Sequence, residues 1–154
     1  MSSAFRPKSF SYRSAVEWVG EKRGRLTAAG LPPLEVATPP EFKGHPGLWP
    51  PEHLLVSAVN ACIMTTFLAI AERHRVEFLS YESEAEGTVE MIEGKFMFSR
   101  VQVHPKVTVQ RREMAADVKR AIEGAEKRCL ITLSLRSEVV VRPEVVVQDQ
   151  LTPD

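Results

Sequence analysis

Cys62 and Cys129 are the two thiols of this 154-residue chain, and they are its best candidates for a soft nucleophile. A thiolate attacks electrophilic oxygen or sulfur, whereas a buried thiol without help is an inert small hydrophobe. Their placement therefore decides what they can do. Cys62 falls inside the most apolar stretch of the chain, Leu54 to Ala71, and Cys129 ends a stripe in which Met114, Val118, Ile122, Ala125 and Cys129 recur at helical spacing. Both thus face a core. Sixty-seven positions separate them, and that interval leaves open whether their Cα atoms approach the roughly 4.4–6.8 Å that a disulfide needs.

Other chemistries find less support. His45, His53, His74 and His104 lack the spacing of a zinc or iron site, and Cys-x-x-Cys is absent, so no metal is expected. His53 could border a pocket, although a histidine in a first helical turn is more simply an exposed residue. The glycines form neither a phosphate-binding loop nor a dinucleotide fingerprint, so no bound cofactor is expected either. Twenty basic and twenty acidic residues balance to zero net charge, which points away from nucleic acid and anionic membrane surfaces and toward a small molecule or protein as partner. Met1 to Arg13 holds no apolar signal-peptide core, so the cytoplasm is the expected location.

The elements that must hold these thiols can be read from periodicity. Phe10 to Val19 alternates apolar and polar residues, as a half-buried strand does. A turn over Gly20 to Gly24 and two short strands, Arg25 to Ala29 and Leu34 to Thr38, extend it into a meander. Pro39 to Pro51 carries five prolines and two glycines and reads as a long loop. Pro50-Pro51-Glu52 then starts a helix to about Arg75, because proline and a carboxylate both suit a first turn. Its 18-residue apolar stretch is near the minimum for crossing a bilayer, but Ser57, Asn60, Thr65 and Thr66 favour a helix buried on nearly all sides.

Leu79 to Met91 alternates as a long strand, Glu93-Gly94-Lys95 turns the chain, and Phe96 to Val109 returns with a register change that predicts a bulge near Ser99 or Arg100. An amphipathic helix follows from Arg112 to about Cys129. Glu138 to Val147 closes the chain as a strand pair interrupted at Arg142-Pro143, and Gln148 to Asp154 is expected to be loose. The order predicts one α+β domain over residues 1–154, with antiparallel sheets around a long buried helix and a second amphipathic helix. One small sheet covers one side of so apolar a helix, so a homodimer is expected to cover the other.

The stretch Trp49-Pro50-Pro51-Glu52-His53-Leu54-Leu55-Val56-Ser57-Ala58-Val59-Asn60-Ala61-Cys62 resembles the OsmC/Ohr family, in which a Pro-Glu pair and two aliphatic residues precede by ten positions a cysteine in a small-residue-rich helix. Ala125-Glu126-Lys127-Arg128-Cys129 is similar to the family's second-cysteine region, and the element order matches from about Ser9 to Val147. The resemblance implies an intertwined homodimer and a thiol peroxidase for organic hydroperoxides. In that role Cys62 attacks the peroxide and becomes a sulfenic acid, Cys129 resolves it as a disulfide, and an external dithiol, free or on a lipoylated protein, restores both.

The resemblance also implies a catalytic arginine held by Glu52. Arg23 best fits that position, Arg25 is next, and an ungapped comparison places Lys22 there. A lysine would lack the planar fork that grips a carboxylate. On its own, Glu52 is equally an ordinary first-turn dipole partner. Ten helical residues span roughly 15 Å, so an unbroken helix keeps Glu52 away from its own Cys62, and a partner helix crossing antiparallel near Ser57 would bring it there. After Cys129 the chain reads Leu130-Ile131-Thr132-Leu133-Ser134 instead of a proline and serine motif, which resembles the broader OsmC-like branch. The alternative to an enzyme is a ligand-binding or redox-sensing stress protein of the same fold.

Overall fold

The computed structural model describes residues 8–148. The tail expected to be loose lies outside them except for Gln148. Two compact units succeed one another along the chain, with the boundary after Pro51.

The first unit is an antiparallel meander of β1 (Ala15–Gly20), β2 (Arg23–Thr27) and β3 (Leu34–Ala37). Positive φ at Gly20 and Glu21 lets the chain reverse over Glu21 and Lys22 alone, so Arg23 and Gly24, expected in the turn, belong to β2. The first strand is shorter than its alternation predicts. Ala15 pairs with Thr27 at the end of β2, which leaves Phe10 and Tyr12 beyond the ladder and exposed. Its apolar residues Val16 and Trp18 are exposed as well, against the expectation of a half-buried strand. A short 3-10 turn at Pro40–Phe42 lies within the proline-rich loop.

The second unit begins within the first turn of α1 (Pro51–His74), which runs unbroken for 24 residues. Val59, Ile63, Phe67 and Ala71, one helical turn apart, form its buried stripe. The helix is therefore not enclosed on all sides by its own chain, because Ala58, Ala61, Thr65, Leu68 and Ala69 stay exposed opposite that stripe. By length and hydropathy α1 is apolar enough to cross a bilayer, yet its buried stripe packs within the protein. Arg75 in the left-handed region and a bond from Val76 N–H to Ala71 O (2.8 Å) close the helix.

β4 (Ser80–Ile92) and β5 (Lys95–Val109) form the long hairpin. Thr88 pairs with Arg100 and Val89 with Phe98, so Ser99 is the extra residue of the expected bulge. The sheet is mixed, not purely antiparallel: β6 (Glu138–Val141) and β7 (Glu144–Val147) both run parallel to β5. The helix α2 (Ala115–Arg128) supplies the crossover that parallel pairing requires. It starts after a 3-10 turn at Arg112–Met114 and is followed, unexpectedly, by the short α3 (Leu130–Leu133).

Val101, Val103, Pro105, Val107 and Val109 form a buried row along one face of β5. Two clusters fill the space over them. Phe67 and Ala71 meet Val107, Val109, Val118, Ala121, Ile122 and Ala125 in one, while Val59 and Ile63 meet Val101, Val103 and Cys129 in the other. Close approach of α1 to β4 rests on Gly87, where an added Cβ would lie 2.5 Å from Val56 Cγ2 and 2.7 Å from Phe98 Cε1. Gly87→Ala is expected to lower the unfolding free energy by about 1–3 kcal/mol, the usual cost of overpacking, as read from urea denaturation.

Candidate active site

Cys62 is half-buried on the flank of α1 and packs against the cluster that contains Cys129, which is 0% exposed. The two thiols share one apolar cluster and remain free. The helices meet there because α2 stops at Arg128: Cys129 takes an extended conformation (φ −61°, ψ 112°) and the chain restarts as α3. A new helical start frees first-turn amides that have no partner within their own helix. Thr132 N–H donates to the Cys129 sulfur at 3.5 Å, and the Ile131 and Leu130 amides favour the Cys62 thiolate.

These contacts give the thiols opposite tendencies. Burial pushes the Cys62 thiol up, but hydrogen bonds from Cys129, the Ile131 amide, the Thr66 hydroxyl and the Leu130 amide outweigh it, so its pKa falls below the ordinary value. Burial is also the main influence on Cys129, and its bond to Cys62 adds to the rise. Cys62 is thus the better thiolate and Cys129 the better proton holder.

Of the four residues carried over from that resemblance, the structure brings these two together. Glu52 sits in the first turn of α1, which has no break before Cys62, so the roughly 15 Å separation along one helix stands. Its Oε2 is buried and has no hydrogen-bond partner among the described residues. It lines a cavity of about 220 Å³ with His53, Val56, Ala85, Gly87 and Phe98. Arg23 belongs to the first unit, where its Nε is 3.5 Å from Glu21 Oε2. Lys22 Nζ donates to Phe42 O at 3.1 Å, and Arg25 pairs with Glu35 at 2.9 Å.

Thr66 and the α3 amides were not singled out by sequence reasoning. Thr66 had a usable signal, since it lies one helical turn beyond Cys62, and its Oγ1 is 3.9 Å from the Cys62 sulfur. The amides had none, because their direction depends on the break at Cys129. Removing the Thr66 hydroxyl takes a donor away from the thiolate and raises the Cys62 pKa. Thr66→Val is therefore expected to slow reaction with a disulfide reagent at neutral pH by about two- to tenfold, the worth of one modest hydrogen bond. The rate-versus-pH profile should move to higher pH, with the plateau rate retained.

Comparison with known proteins agrees with this architecture. The uncharacterized protein YmaD of Bacillus subtilis is 26% identical over 136 residues, which covers 85% of this chain and 90% of that protein. An OsmC-like protein of unknown function from Vibrio cholerae superposes with a TM-score of 0.79 at 20% identity, covering 88% of this chain and 99% of that one. An organic hydroperoxide resistance protein from Legionella pneumophila superposes with a TM-score of 0.71 at 21% identity, covering 92% and 100%. The family model described as OsmC-like protein matches residues 44–144, a span that holds Glu52 and both cysteines, and the chain belongs to that family.

Proposed function

We propose that the protein is a thiol peroxidase that reduces organic hydroperoxides in the cytoplasm as part of oxidative-stress defence. The observation that carries this reading is the placing of two free thiols in one apolar cluster, with Cys62 partly open and Cys129 buried, and the lowered pKa of Cys62 against the raised pKa of Cys129 supports it. The Cys62 thiolate attacks the distal peroxide oxygen and the O–O bond breaks. Cys62 becomes a sulfenic acid, and the departing alkoxide takes a proton to leave as an alcohol. Cys129 then attacks the sulfenic sulfur, forming the Cys62–Cys129 disulfide and releasing water. An external dithiol, free or carried on a lipoylated protein, reduces the disulfide by two exchange steps. The apolar cluster around the sulfurs favours an alkyl hydroperoxide over hydrogen peroxide.

A homodimer belongs to the same proposal. The small, exposed stripe of α1 suits close packing against its copy, and an antiparallel crossing near Ser57 would carry the unpartnered Glu52 carboxylate of one chain toward Cys62 of the other. Arg23 is the proposed cation for that carboxylate, with Arg25 and Lys22 as alternatives. The catalytic reading is tested by counting free thiols before and after one equivalent of cumene hydroperoxide. Two thiols lost per chain without crosslinking between chains, together with sustained turnover on added dithiol, is the expected result. Thiol loss without turnover would favour a redox sensor, and no loss would favour a ligand-binding protein.

A further inference from the structure

The turn that follows Cys129 brings Thr132 back to the buried sulfur. Cys129 caps the start of α3, and its sulfur accepts the Thr132 N–H at 3.5 Å. In a capping box the side chain at the position of Thr132 answers by binding the backbone N–H of the cap residue. That group is already taken, because Cys129 N–H donates to Ala125 O at 2.9 Å. The Thr132 hydroxyl is therefore left over: its oxygen is buried and makes no full hydrogen bond with the described residues. The turn itself is fixed beside the sulfur. Leu133 N–H binds Cys129 O at 3.0 Å, Leu135 N–H binds Thr132 O at 3.2 Å, and Ile131 and Leu135 pack against the cluster around Cys129.

The state of the sulfur accounts for the idle hydroxyl. A neutral thiol is a weak acceptor, whereas a thiolate accepts strong, charge-assisted bonds. In the resting protein burial raises the Cys129 pKa most, Cys62 adds to the rise, and the Thr132 hydroxyl and amide oppose both. Cys62 is the other titratable group among these influences. Once Cys62 has become a sulfenic acid it is no longer a thiolate, and Thr132 is left facing burial alone.

We propose that Thr132 is a positioning residue for the resolving step: its amide fixes the Cys129 sulfur, and its hydroxyl turns onto that sulfur as the S–H proton leaves. This role rests on the thiol-peroxidase reading, in which Cys129 attacks the sulfenic sulfur of Cys62. The S–S bond forms, the S–O bond breaks, and the departing hydroxide takes the Cys129 proton to leave as water. Thr132 contributes no atom to the products. It lowers the cost of charge on a buried sulfur at the moment of attack.

Thr132→Val keeps the shape of the side chain without the hydroxyl, and Thr132→Ser keeps the hydroxyl. After one equivalent of cumene hydroperoxide, quenched samples are read by intact-protein mass spectrometry, which separates the sulfenic acid from the disulfide. Thr132→Val is expected to slow conversion of the sulfenic acid to the disulfide about tenfold, the worth of a hydrogen bond to a charged group, and to slow formation of the sulfenic acid by much less. The pH profile of the second step should move upward, and Thr132→Ser should restore both rate and profile. A second measurement needs no peroxide. In Cys62→Ser protein isotope-labelled at the cysteine β-carbon, the Cys129 titration followed by NMR should move to higher pH with Thr132→Val and stay in place with Thr132→Ser. Resolution at the wild-type rate by a folded Thr132→Val protein, equal slowing by Thr132→Ser, or an unmoved titration would overturn the proposal. If the wild type forms no sulfenic acid, the peroxidase reading falls, and the titration alone decides whether Thr132 holds the thiolate.

Discussion

Cys62→Ser is expected to abolish hydroperoxide consumption, with the rate falling on the order of 10⁴-fold or more, since a missing nucleophile leaves only background reaction. Cys129 does not substitute for it. Its sulfur is fully buried and its pKa is raised by burial and by donation to Cys62, so little thiolate forms in its place. Cys129→Ser should instead react once at a rate close to wild type and then stop. With no neighbouring thiol to condense with, Cys62 accumulates as sulfenic acid and then as sulfinic acid, which adds 16 or 32 mass units by intact-protein mass spectrometry. Small external thiols can rescue the first of these forms but not the second. Equal, sustained turnover by both variants in dithiothreitol would remove the assigned roles.

A carboxylate introduced at Phe67 is expected to unfold the second unit, whereas one introduced at Leu68 is not. Phe67 is fully buried among Ala71, Val107, Val118 and Ile122, with the Phe78 ring 5.1 Å away. Phe67→Asp places an unpaired charge there and should cost about 4 kcal/mol or more, which urea denaturation would read as loss of most of the folding stability. Leu68, 39% exposed, faces away from that cluster on the free stripe of α1. Leu68→Asp should leave the chain folded while converting a species near twice the 17.2 kDa chain mass to a monomer in sedimentation. Phe67 therefore tests the core and Leu68 tests the proposed dimer. A wild-type protein that sediments as an active monomer would end both the dimer and the trans placement of Glu52.

The sequence was most legible where a single periodicity governs an element. Alternation in Leu79 to Met91 gave the long hairpin, and the shift from Phe96 and Phe98 to Val101 and Val103 predicted a bulge near Ser99 or Arg100, which the structure puts at Ser99. Spacings of four and three gave α2 and marked Cys129 as buried, although the helix ends one residue before it. Three features were out of reach of that method. Alternation continues through Phe10 and Tyr12, but a strand ends where its partner ends, and the partner stops at Thr27. Val-rich segments such as Glu138 to Val147 read alike in parallel and antiparallel sheets, because direction depends on the path of the preceding chain. The start of α3 at Cys129, which turns the Thr132 amide onto the Cys129 sulfur, follows from backbone angles that no residue type there announces.

The parallel attachment of β6 and β7 to β5 also orders assembly in time. The β4–β5 hairpin closes through a tight turn, so it can form early and locally. Arg100 and Glu138, by contrast, are partners across 38 positions, and bringing such distant segments together costs chain entropy before any contact repays it. Val139 and Val141 help enclose the cluster around Cys129. During synthesis, that enclosure cannot be complete until β6 has been made and docked, long after Cys62 and shortly after Cys129. Until β6 docks, the surroundings that separate the acidities of the two thiols do not exist, so the difference between them is a property of the completed sheet and not of either helix alone.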